Sequence, residues 1–174
     1  YARDRIGNTS IPKLTTVSVN NPLTRKAIIL TGGPENEAIW PAMEKNSLLA
    51  YEALIYQGYN DDDIYFMSPV TISTGVDGLP TLSNLNHALA TWASQNTQDL
   101  VLYLIGKGNA ASFKINATET LSATTLDNWL DSLQNNIPGK VIVIYDGCQS
   151  GSFLPFLIPP SGKNRILITS TGEN

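Results

Sequence analysis

Val141-Ile142-Val143-Ile144-Tyr145-Asp146-Gly147-Cys148-Gln149-Ser150-Gly151-Ser152 is the stretch that decides the fold. A continuous β-branched run reads as a strand covered on both faces, and strands of that kind belong to parallel sheets. The run gives way to a short polar, glycine-rich segment carrying the chain's only cysteine, Cys148. Open α/β sheets place ligands and chemistry in the crevice outside the carboxyl ends of their strands. A structural thiol more often lies inside the apolar run. Cys148 lies past it, among small residues that let a substrate backbone come close. Position alone leaves a nucleophile and an inert thiol equally open.

The neighbouring segments repeat the theme. Leu100-Val101-Leu102-Tyr103-Leu104-Ile105 is a second apolar strand and ends in Gly106-Lys107-Gly108-Asn109. Lys26–Leu30 and Ile64–Met67 read as two more, and Arg165–Ser170 as the last. Between them, apolar residues recur at helical spacing. Ile39, Met43, Leu49, Ala50, Ala53 and Leu54 form one set, closed by Gly58. Leu82, Leu85, Leu89 and Trp92 form another, and Leu126, Trp129, Leu130 and Leu133 a third, ended by Pro138-Gly139. Residues 68–80 hold Pro69, Gly75, Gly78 and Pro80 and read as a loop. The residues from Ser112 onward suggest a small hairpin, and residues 1–25 an N-terminal arm or edge strand. Strands alternating with helices predict an α/β fold with a mostly parallel sheet and helices on both faces.

The two strand ends, Gly106-Lys107-Gly108 and Asp146-Gly147-Cys148-Gln149-Ser150-Gly151-Ser152, resemble those of the caspase, gingipain and legumain group of cysteine peptidases. The second is most similar to the acidic-small-Cys-x-Ser-Gly-Ser motif of the legumain (asparaginyl endopeptidase) family. The resemblance runs from about Lys26 to Ser170. It implies a caspase-like three-layer sandwich over residues 26–174, completed by residues beyond 174. It also implies peptide bond hydrolysis. Cys148 would be the nucleophile, backbone N–H groups near Gly108 and Cys148 would hold the oxyanion, and Asp146, Gly147 and Ser170 would line the substrate pocket. The partners implied are a peptide or protein substrate and a C-terminal fragment of the same gene product, with no cofactor and no metal. Asn174 would then be a self-cleavage site, the plain alternative being a simple chain boundary.

Two positions depart from the family. Lys107 stands where the pattern has the catalytic histidine. A free cysteine titrates near 8.5 and an unperturbed lysine near 10.4, so an ammonium there can stabilise a thiolate or an oxyanion but donates its proton poorly. The chain's single histidine, His87, lies in a helical stretch well before the strand and is no substitute. A natural pseudoenzyme, a peptidase with altered acid–base chemistry and an engineered inactive form all stay open. The alternative to a peptidase is therefore a catalytically inactive peptide- or protein-binding module. The second departure is Trp40-Pro41-Ala42-Met43-Glu44, which stands where the family has a basic Arg-His pair, and this removes the warrant for asparagine specificity.

Bulk properties bound the rest. The chain has 174 residues, enough for one domain with a sizeable core. A net charge of −4 and the absence of any basic run argue against nucleic acid. No apolar run approaches a membrane span. Sparse lysine with many Asn, Ser and Thr residues fits a secreted, bacterial-type extracellular domain. One cysteine excludes an intrachain disulfide and a cysteine-cluster metal site. Gly106-Lys107-Gly108 lacks the Ser/Thr and spaced glycine of a phosphate loop. Asp61-Asp62-Asp63 reads as a solvated turn able at most to hold a weak calcium ion.

Overall fold

A computed structural model describes residues 22–70 and 75–173. Its centre is a six-stranded sheet in the order β3-β2-β1-β4-β8-β9. The strands are β1 (Thr24–Thr31), β2 (Ile64–Met67), β3 (Val76–Gly78), β4 (Thr97–Ile105), β8 (Val141–Asp146) and β9 (Arg165–Thr169), and every pairing is parallel. A separate antiparallel sheet joins β5 (Gly108–Asn109), β6 (Ser112–Lys114) and β7 (Thr120–Ser122). The expected α/β sandwich is the fold, with helices on both faces.

Helix placement follows from the strand order. The chain steps outward from β1 to β2 through α1 (Trp40–Tyr56), then returns across the sheet to β4 and continues to β8 and β9. Crossovers of one hand put helices on opposite faces when the direction of travel reverses. Accordingly α1 packs on the face carrying Ala27, Ile29, Ile64 and Phe66. The opposite face carries Ile28, Leu30, Leu100, Leu102, Leu104, Val141 and Val143. It is covered by Leu85 of α2 (Leu82–His87), by Ala88 and Leu89 of the π-turn that continues α2, and by Leu126, Leu130 and Leu133 of α3 (Ala123–Gln134). This second face is the larger core. α2 and α3 both start on hydroxyl caps, with the Thr81 and Ser122 side chains accepting from Asn84 N–H and Thr125 N–H.

Several sequence expectations change. β1 begins at Thr24 and so takes in Thr24 and Arg25, and the expected arm lies largely outside the described residues. The stretch 68–80 contains β3, a short edge strand of Val76, Asp77 and Gly78 that no apolar alternation betrays. Asp77 earns its place there by accepting from Phe66 N–H at 2.8 Å. The apolar stripe assigned to α1 holds in part: Met43 is buried and Ala50 and Leu54 pack against the sheet, while Ile39, Leu49 and Ala53 are exposed and Trp40 and Ser47 are buried instead. Gly58 does close α1, in the left-handed region at φ 84°. Among the described residues no helix is long and apolar enough to cross a membrane.

Candidate functional site

The carboxyl ends of β4, β8 and β9 converge beside the switch in strand order, the place open α/β sheets reserve for ligands. A cleft of about 240 Å³ opens there on the α1 side. Its residues come from three places: Ile39, Ala42, Met43 and Asn46 at the start of α1; Ile105, Gly106 and Lys107 at the end of β4; and Asp146, Gly147, Cys148, Ser170 and Thr171 at the ends of β8 and β9. The structure thus brings Lys107, Asp146, Gly147, Cys148 and Ser170 into one cleft. Gly108 sits just behind it. Asn174 lies outside the described residues.

Cys148 is exposed and unpaired. The turn that presents it is strained: the next residue, Gln149, is left-handed at φ 55° and ψ 26°. A non-glycine residue in that region costs free energy that the surroundings must offset. They do so through hydroxyl staples. Ser150 N–H donates to Thr171 Oγ1, and Thr171 N–H donates to Ser150 Oγ, both at 3.1 Å. Ser152 Oγ donates to Gln149 C=O and accepts from Ala111 N–H, tying the cysteine turn to the β5–β6 hairpin. The Ser-Gly-Ser run after Cys148 is therefore a lock for the turn. Gly151 belongs to the same lock, since a side chain there would meet Thr171 C=O at 2.9 Å and Gly172 at 2.7 Å.

The two site glycines are required by close packing. A Cβ on Gly108 would collide with the Tyr145 hydroxyl and lie 2.6 Å from the Cys148 carbonyl oxygen. A Cβ on Gly147 would collide with the Gly106 carbonyl oxygen. Gly147 N–H is not free to bind an oxyanion, because it donates to Ser170 Oγ at 3.0 Å. Ser170 is thereby a positioning residue for the cysteine turn as well as part of the cleft wall.

Lys107 has a partner that the sequence did not reveal. Its Nζ lies 2.5 Å from Glu37 Oε2, and Lys114 Nζ of β6 lies 3.1 Å from Glu37 Oε1. Glu37 sits in the loop between β1 and α1, and its side chain is only 13% exposed. The hydrogen bond from Lys107, helped by Lys114 and opposed by partial burial, holds the Glu37 carboxyl below its usual range. No spacing rule joins a loop glutamate to a strand-end lysine 70 residues on; only the β1–β4 pairing does.

Asp146 faces the cleft from the α1 side of the sheet, paired laterally with Ile105. Its carboxylate accepts from the Tyr103 hydroxyl at 3.3 Å. Burial, and then the adjacent Asp146 charge, push the Tyr103 phenol up to about 12. His87 is exposed on α2, across the sheet from the cleft. Asp61, Asp62 and Asp63 form a 3-10 turn in which Asp61 accepts from Tyr51 at 2.6 Å and Asp63 from Asn60 at 2.9 Å. Among the described residues no group of three or more His, Cys, Asp or Glu side chains converges as a metal site. No family model matches this chain, and neither does any curated protein.

Proposed function

We propose that the cleft is a peptide-binding site of the cysteine-endopeptidase type, resembling the legumain family, in which amide hydrolysis is silent. Attack by Cys148 Sγ on a peptide carbonyl carbon forms the S–C bond. Breaking the C–N bond then requires a proton on the departing nitrogen. The observation that carries the reading is the Lys107–Glu37 ion pair. The ammonium is engaged by a carboxylate, so the group at the family's histidine position supplies charge to the cleft in place of an imidazole's acid–base pair.

A second reading, a working endopeptidase, is favoured by a different observation: Cys148 is exposed on a strained, stapled turn, which an inert thiol does not need. The two readings separate on Lys107→His. Under the first, the parent gives no turnover of fluorogenic peptides, and the variant gains hydrolysis that Cys148→Ala abolishes, a gain of about 10²–10⁴-fold being the usual worth of general acid–base catalysis. Turnover by the parent equal to that of the variant overturns the first reading. In either case the partner is a peptide or protein. The face of β8 and β9 that no described helix covers, where Ile166 and Ile168 are exposed, is where a C-terminal fragment of the same gene product would pack. Secretion, as expected for a bacterial-type extracellular domain, belongs to the same proposal.

A further inference from the structure

Resting on the reading of the cleft as a peptide site, we infer that it selects a peptide bearing a long cationic side chain, lysine or arginine, with Asp146 as the residue that recognises it. The cleft's polar and apolar parts divide cleanly. Ile39, Ala42, Met43 and Ile105 supply an apolar wall, and Asp146 supplies a carboxylate beside Cys148. Lysine and arginine have that same division, an apolar stem and a charged head.

Among the described residues Asp146 takes part in no ion pair. Its hydrogen-bond partner is a neutral phenol, Tyr103, at 3.3 Å. The ion pairs among the described residues engage Lys107, Lys114 and Arg165 with Glu37, Asp127 and Asp131, and none reaches Asp146. The other charged group lining the cleft, Lys107, is engaged by Glu37, a carboxylate it shares with Lys114, and not by Asp146. A half-buried carboxylate with spare acceptor capacity in an apolar cleft gains most from a donor that brings positive charge. A carboxylate side chain entering the cleft would meet like charge. A neutral aliphatic chain would desolvate Asp146 and leave the Tyr103 hydroxyl as its one side-chain donor among the described residues. A side-chain amide would supply a donor but no charge, and the stretch Trp40–Glu44 offers no basic group to receive its oxygen.

The test uses the full chain and a set of peptidyl acyloxymethyl ketones identical except for the residue joined to the ketone: lysine, arginine, norleucine, asparagine or aspartate. Labelling of Cys148 is followed by intact mass, with iodoacetamide as a reporter of bare thiol reactivity. The lysine and arginine probes should label about tenfold or more faster than norleucine, and Asp146→Asn should bring the lysine-to-norleucine ratio close to one. Equal labelling by norleucine and lysine in the parent, or preference for asparagine or aspartate, overturns this inference and leaves the peptide cleft standing. Should iodoacetamide alkylate Cys148 while no peptidyl probe does, the cleft reading falls and this inference falls with it. The parent's own ratio decides the matter even if Asp146→Asn fails to fold.

Discussion

The residues around Cys148 do two jobs at once, and their chemistry separates by substitution. Glu37 is the simplest case. Its pKa is lowered in the folded protein, so the stability it contributes is present above the carboxylate's ordinary value and is lost as pH falls through the lower folded value. Glu37→Gln should therefore destabilise most at neutral pH and progressively less as the pH falls below the ordinary carboxylate range, as read from denaturation midpoints at a neutral and an acid pH value. The loss should be small, about 1 kcal/mol or less, because Lys107 is 48% and Lys114 36% exposed and water screens both. A loss of equal size at both pH values would mean that packing rather than charge makes Glu37 matter. Gly108→Ala probes the other job. The new methyl meets the Tyr145 hydroxyl and the Cys148 carbonyl, neither at the end of a flexible chain. It should cost about 1–3 kcal/mol in the denaturant midpoint and slow alkylation of Cys148 by displacing its turn. How much of this was legible beforehand differs by residue. Cys148, Gly147, Asp146 and Ser170 were placed by strand ends, because a strand's carboxyl terminus is a local property of the sequence. Glu37 and Tyr103 were not, because each reaches the site only through pairing between strands far apart in the chain.

At the level of elements, apolar runs located the central strands well, since a strand buried on both faces needs no periodicity to be seen. The failures have physical causes. β3 is three residues long with an exposed aspartate, and its pairing depends on the Asp77 contact with β2. In α1, Ile39 and Leu49 looked like core but face outward, and Ser47 is buried because its hydroxyl donates to Glu44 C=O at 2.8 Å. β9 lies where its apolar run places it, but the role of its arginine gave no signal. Arg165 is buried at the start of that strand and donates to Asp127 at 2.8 Å, Asp131 at 2.7 Å and Gln134 at 2.7 Å, all on α3. Removing one partner from such a cluster leaves the others desolvated, so Arg165→Ala should cost about 3–5 kcal/mol, far above a surface substitution. The check is a urea titration in which the midpoint falls and the slope does not change. A loss below about 1 kcal/mol would show that α3 and β9 hold together without the cluster.

Across the whole molecule the two sheet faces are unequal. One is covered along its length by α2, its π-turn extension, α3 and the Phe153–Leu157 segment. On the other, α1 covers β2, β1 and part of β4; beyond it Ile142 and Ile144 of β8 lie half-buried beside Val101 and Tyr103 of β4, and among the described residues no helix covers Ile166 and Ile168 of β9, which are 40% and 51% exposed. The same residue type should therefore have different worth on the two faces. Leu102, wholly buried under α2 and α3, should cost about 2–5 kcal/mol as Leu102→Ala, the transfer of its side chain plus the cavity it leaves. Ile168 already meets water, so Ile168→Lys should change stability by about 0.5 kcal/mol or less, since the lysine stem lies along the apolar row and its ammonium stays hydrated. Parallel urea titrations of the two variants make the comparison within one protein. If Ile168→Lys proved as costly as Leu102→Ala, the face would be covered in solution, and the asymmetry that leaves the Asp146 cleft open at its upper edge would not exist. If the costs divide as argued, the second face is the part of the fold least committed to stability. That suits a surface whose upper row, Ile105, Asp146 and Ser170, lines the cleft.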